Sequence, residues 1–284
     1  MFNESPIVFE CQGDKLVGII HASASKNNIG VLIVVGGPQY RVGSHRQFVL
    51  LSRFLAKHGF PAMRFDVRGM GDAGGEQRNF DVLDDDIKAA MDCFMASCPG
   101  LERIIIWGLC DAASATLFYG YQDDRVIGMV LLNPWVFTKQ GAAKTYLKYY
   151  YLNRLLSRDF WGKVFAFKFD LIKSAVSLSA FLKQIFISSN ESSQIDRIDD
   201  ALELPVKMRE SLNRFSHPVL IILSGRDLTA DEFRDLVKSD PIWQSLLADS
   251  RVEQHCLLNA DHTFSSDTWR NEVADLTLNW LKKL

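Results

Sequence analysis

Cysteine, histidine and aspartate can share covalent acyl chemistry. A thiolate attacks, an imidazole moves the proton, and a carboxylate orients the imidazole. In this chain one residue of each type follows a predicted strand: Cys110 after Ile104 to Trp107, Asp227 after Val219 to Leu223, and His262 after a strand near Arg251 to Leu258. Cys110 lies in Gly108-x-Cys110-x-Ala112, the small-x-nucleophile-x-small spacing of a sharp strand-to-helix turn. A side chain at position 108 or 112 would collide with the neighbouring strand and helix. The cysteine is therefore expected above the sheet at a helix N-terminus, where the helix dipole favours a thiolate. A lone cysteine is more often a packing residue, so the argument rests on its company. Asp231, four residues beyond Asp227, is the fallback acid. Ser114, one turn into the helix, is out of reach of the turn's tip.

These residues need a sheet whose strand ends converge. Ile104 to Ile106 is a short β-branched run that suits a central strand covered on both faces, and residues 111–119 are Ala-rich and favour a helix. Pro6 to Cys11 and Lys15 to His21 read as a hairpin turning at Gln12, Gly13 and Asp14. Val31 to Val35 is a buried strand running into Gly36 and Gly37, where missing side chains let backbone N–H groups approach a ligand. Pro38 has no N–H, so Gly37 is the better candidate donor. Ser44 reads as the N-cap of a helix over 45–58. Pro61 to Phe65 is a further strand, followed by Asp66-x-Arg68-Gly69-x-Gly71, read as a structural turn with a buried Asp–Arg pair. Asp84, Asp85 and Asp86 suit the positive end of a helix. Val126 to Leu132 completes a strand–helix alternation that implies a mostly parallel sheet with helices on both faces.

The pattern changes after Trp135. Residues 136–215 crowd aromatics, including Tyr149, Trp161 and Phe165, among Lys148, Arg154, Lys163 and other cations. They read as a helical insertion, leaving residues 1–135 and 216–284 as the core. The insertion would cap the strand ends, and its basic aromatic surface could touch a membrane or an anionic substrate. The formal net charge is −2 in 284 residues, which gives no general case for nucleic-acid binding. The five cysteines form no CxxC pair, so neither a disulfide framework nor a structural zinc is expected. No signal peptide or membrane span is read, and a cytoplasmic protein without metal or cofactor is expected.

The order Cys110, Asp227, His262 is the nucleophile–acid–histidine order of the α/β-hydrolase fold. The stretches VVGGPQYRVGSHRQF (34–48), RFDVRGMGD (64–72) and WGLCDAASA (107–115) resemble the exosortase A system-associated hydrolase family, type 1. That resemblance implies a bacterial setting linked to exosortase sorting and exopolysaccharide production, and it implies no substrate. The cysteine nucleophile is similar to that of dienelactone hydrolase in its chemistry alone. Together these readings predict an α/β-hydrolase fold with a helical cap. Cys110, His262 and Asp227 would form a catalytic triad acting on a small acyl ester or thioester, with an oxyanion hole made by the N–H groups of Gly37 and Asp111. A non-catalytic scaffold that binds a partner or lipid, and an acyltransferase, stay open on the sequence.

Overall fold

A computed structural model of the chain describes residues 3–24, 27–37, 39–136 and 204–284. The chain divides into one unit of Met1–Thr138 with Glu203–Leu284 and a second unit, Lys139–Leu202. The expected helical cap, with its proposed membrane contact, falls for the most part outside the described residues. Val136 and residues 204–215, read with the insertion from sequence, instead pack with the core: Val136, Met208, Leu212 and Phe215 all belong to its main apolar cluster.

Eight strands form one sheet in the order β1-β2-β4-β3-β5-β6-β7-β8. The hairpin of β1 (Asn3–Cys11) and β2 (Asp14–Ala22) is antiparallel, and β2 also runs antiparallel to β4 (Ala62–Phe65). Its tight turn uses positive φ at Gln12 (51°) and Gly13 (87°), as two-residue hairpin loops require. From β4 onward every pairing is parallel, through β3 (Ile29–Val34), β5 (Arg103–Leu109), β6 (Val126–Leu132), β7 (Val219–Ser224) and β8 (Val252–Leu257).

The apolar runs that read as strands are buried on both faces because successive side chains alternate between two layers. In β5, Ile104 and Ile106 enter one apolar cluster, while Ile105 and Trp107 enter the other. The first layer is filled by α2 (Asp84–Ser97), α3 (Asp111–Gly120), α4 (Leu204–Arg214), α5 (Leu228–Ser239) and α6 (Pro241–Leu247). The second is filled by α1 (Gln47–Lys57) and the C-terminal helix α7 (Asp267–Leu281).

Two local readings change. Ser44 does not cap α1. It opens a 3₁₀ turn, Ser44–Arg46, in which His45 (φ 53°) and Arg46 (φ 61°) are left-handed, and α1 starts at Gln47 without a side-chain cap. The Asp–Arg pair of the turn after β4 is also not internal. Arg68 turns to buried Asp86 on α2, donating through Nε and Nη2 at 3.0 and 2.8 Å. Asp66 is claimed by Arg41, whose guanidinium and backbone N–H both donate to it. Asp86 thus neutralises Arg68 as well as opening α2.

Candidate active site

All the chemistry-bearing residues lie where the parallel strands end at their carboxyl edge, the edge at which open α/β sheets bind ligands. The chain leaves β5 at Leu109, turns at Cys110 and enters α3 at Asp111. Cys110 has φ 63° and ψ −124°, a conformation costing about 1–3 kcal/mol for a residue with a side chain. Close packing on both sides maintains it. A Cβ on Gly108 would stand 2.5 Å from the Ala112 carbonyl oxygen, and one on Gly36 would stand 2.6 Å from the Ala112 nitrogen. Gly108, one of the two small residues read from sequence, is therefore a steric requirement of the turn.

The acid and the histidine follow β7 and β8, two and three strands along the sheet from β5. Asp227 follows β7 and caps α5, accepting from the N–H groups of Thr229 (3.3 Å) and Ala230 (3.1 Å). Its Oδ2 is 2.9 Å from His262 Nδ1, and its side chain is 6 % exposed against 35 % for the imidazole. The pair leaves His262 Nε2 on the side away from Asp227. The imidazole pKa is pushed up to about 10, first by the hydrogen bond to Asp227 and then by one to Cys110, against an opposing effect of burial. The structure thus brings Cys110, His262 and Asp227 together. The fallback acid Asp231 pairs with Arg234 at 3.0 Å instead. Ser114 is buried and donates to the Trp135 carbonyl at 2.7 Å, away from the turn.

Sequence reasoning missed a clamp behind the histidine. Asn133, at the end of β6 with φ 43°, donates from Nδ2 to Ser224 Oγ (2.8 Å) and to the His262 carbonyl (3.0 Å). Its Oδ1 accepts from the Ser224 N–H at 2.8 Å, while Ser224 Oγ donates to the Asp261 carbonyl at 2.7 Å. Both side chains are fully buried, so the loop carrying His262 is tied to two strands by satisfied polar groups. A polar residue ending each of two adjacent apolar strands is the signal that could have exposed the clamp.

The glycine loop after β3 is tied on its far side by the Arg41–Asp66 pair. Gly37 has φ 59°, which suits a residue without a side chain. Its N–H donates to the Asp111 carboxylate, at 2.7 Å from Oδ2. The Ala112 N–H donates to Oδ1 of the same carboxylate at 2.9 Å. Burial raises the Asp111 pKa, countered by the N–H groups of Gly37, Ala112 and Asp111 itself and by the positive His262. Beside this group lies a cavity of about 120 Å³ lined by Gly36, Gly37, Asp111, Gln77, Arg78 and Asn79 among others. Among the described residues no cluster of three His, Cys, Asp or Glu side chains could hold a metal ion, and no helix is long and apolar enough to cross a membrane.

The sheet order and site geometry define the α/β-hydrolase fold, and solved structures agree. An esterase from Pyrococcus furiosus superposes with a TM-score of 0.67 at 17 % identity, covering 99 % of this chain and 91 % of its own. A dienelactone hydrolase from Anabaena variabilis gives 0.60 at 13 % identity, covering 99 % and 98 %. An α/β hydrolase from a Penicillium species gives 0.60 at 16 %, also covering 99 % and 98 %. No protein-family model matches the chain, and no curated protein matches it by sequence.

Proposed function

We propose that this protein is a cysteine-dependent hydrolase of acyl esters or thioesters. The observation that carries the reading is the junction of three strand ends. A strained Cys110 is hydrogen-bonded with His262, whose far nitrogen is fixed by buried Asp227. The fold neighbours named for esterase and dienelactone hydrolase activity support the reaction class without fixing a substrate.

In this mechanism Cys110 Sγ adds to the acyl carbonyl carbon, and the carbonyl electron pair moves onto oxygen. N–H groups of Gly37 and Asp111 hold that oxyanion, an arrangement whose loss of one donor costs about 10²–10³ in rate. The intermediate collapses, the bond to the alcohol or thiol breaks, and His262 Nε2 delivers its proton to the leaving group. Water then attacks the acyl thioester as His262 accepts its proton. The acid leaves and the Cys110–His262 pair is restored. Asp227 stays ionised throughout and stabilises the imidazolium. A thiolate is itself a good leaving group, so esters, thioesters and lactones suit this site better than unstrained amides.

The likeness of residues 34–48, 64–72 and 107–115 to exosortase-associated hydrolases supports a bacterial exopolysaccharide setting for this activity. The five unpaired cysteines fit a reducing compartment such as the cytoplasm. The test is hydrolysis of 4-nitrophenyl esters of graded chain length by wild type, Cys110→Ala and His262→Ala. Turnover by wild type that is lost in both variants is expected. Full turnover by Cys110→Ala contradicts the scheme.

A further inference from the structure

The two N–H groups assigned to the oxyanion are not idle in this structure. Gly37 donates to Asp111 Oδ2 at 2.7 Å, and Asp111's own N–H acts on the same carboxylate. The Ala112 N–H supplies a further bond at 2.9 Å. Gly36 makes room for this group: a Cβ there would overlap Asp111 Oδ1. The carboxylate therefore holds the Gly37 N–H that the proposed mechanism assigns to a reacting carbonyl oxygen, and it carries the kind of charge that oxygen acquires.

We propose that the Asp111 carboxylate is a displaceable internal ligand of the oxyanion hole. It occupies the hole in the free protein and gives way to the acyl carbonyl of the substrate. The inference rests on Cys110 being the nucleophile. Two negative groups cannot share one set of donors, because like charges at hydrogen-bonding distance strongly disfavour each other. The carboxylate must therefore leave as the tetrahedral intermediate forms. The adjoining cavity of about 120 Å³ offers it a destination: Asp111 is part of its wall, and Gln77, Arg78 and Asn79 line the same space. That volume exceeds what one water needs, and Arg78 provides an opposite charge. Asp111 thereby becomes a specificity-determining residue. Acyl groups are selected by how well they compete with a built-in anion, and the unliganded thiol is kept from stray carbonyl compounds.

An ordinary acidic residue in the first turn of α3 would stabilise the helix and nothing more. An alkyl trifluoromethyl ketone separates the two roles. The Cys110 thiol adds across its carbonyl, forming an S–C bond and leaving the oxygen in the hole, and ¹⁹F NMR reads the adduct fraction. An occupied hole lowers apparent affinity by the fraction of molecules in which it is free. Asp111→Ala is expected to bind the ketone at least about tenfold more tightly than wild type, with Asp111→Asn between them. Ester KM should fall in Asp111→Ala. Equal or weaker ketone affinity in both variants, with melting temperatures showing that they are folded, overturns the inference. An adduct in Asp111→Ala with none in wild type supports it. Absence of any adduct in all three proteins removes the nucleophile assignment and this inference together. Wild-type adduct that persists in Cys110→Ala removes the nucleophile assignment and overturns the inference built on it.

Discussion

The two sides of the elbow are prepared differently. On the histidine side the polar groups already have the partners that the proposed mechanism needs. Asp227 accepts from two backbone N–H groups and from His262, and Asn133 with Ser224 ties down the loop behind the ring. On the glycine-loop side the donors are also satisfied, but by Asp111, a residue of the protein itself. The first half is preorganised in the sense that lowers a barrier, since its dipoles need not turn when charge moves. The second half is organised around a stand-in for the reacting oxygen and has to exchange it. In the proposed mechanism the proton relay is therefore always set and the oxyanion site opens on demand.

The predictions that sharpen this contrast begin with the largest. Cys110→Ala should lower ester kcat by at least about 10³ with little change in melting temperature, since the side chain lies at the site and not in the core. Steady-state rates beside thermal melts check it. Asp227→Asn should lower kcat by about 10²–10⁴. It should also bring the His262 pKa down from about 10 toward the usual histidine value of about 6.5, read by ¹H–¹⁵N NMR of the ring. The sign for activity follows. His262 must carry a proton to the leaving group, so wild-type activity should fall as pH rises through about 10, and the Asn variant should lose it at much lower pH. The sign for stability is similar. Folding raises this pKa, so the pair's contribution is complete below about pH 6.5 and fades as pH climbs toward 10. Urea unfolding of wild type against Asp227→Asn should show the gap between them narrowing over that range.

Smaller effects belong to the supports. Asn133→Ala strands Ser224 N–H and the His262 carbonyl in a buried place, and should cost about 1–3 kcal/mol of stability. Its kcat should fall with KM nearly unchanged, because the ring is misplaced while the oxyanion side is untouched. Arg41→Met leaves Asp66 buried without its guanidinium partner and should cost about 3 kcal/mol. Its kinetic effect should show in KM, since the glycine loop loses its anchor. Equal effects of Asn133→Ala and Arg41→Met on kcat and KM would erase the distinction between the two sides.

Much of this was legible in the sequence for a definite reason. Parallel strands buried on both faces write themselves as unbroken apolar runs, and their ends mark the edge where ligands bind. Cys110 and Asp227 each stand just past such a run, whereas β8 ahead of His262 is polar and only partly buried, so His262 is marked by its place in the chain order. The elbow was legible because the crowding of Gly108 against the Ala112 backbone acts within five residues of chain. What escaped depends on which loops become neighbours across the sheet. Asn133 and Ser224 are separated by 91 positions, and nothing local pairs them. Arg68 and Asp66 look like partners in sequence, yet each finds a better-placed ion on another element. The Asp111 carboxylate gives no local sign of its bond to Gly37, because an acid in the first turn of a helix has an ordinary stabilising role. Ser44 had the chemistry of a cap but sits in a left-handed turn that starts the helix later.

The measurement that bears most directly on the central claim is a trapped intermediate. A short pulse of 4-nitrophenyl butyrate, quenched in acid, is followed by intact mass spectrometry and peptide mapping of wild type. The account predicts one butyryl group, attached at Cys110, that appears with the burst of nitrophenol and decays with turnover. Continued turnover with no acyl group on Cys110, or an acyl group carried elsewhere, would contradict it.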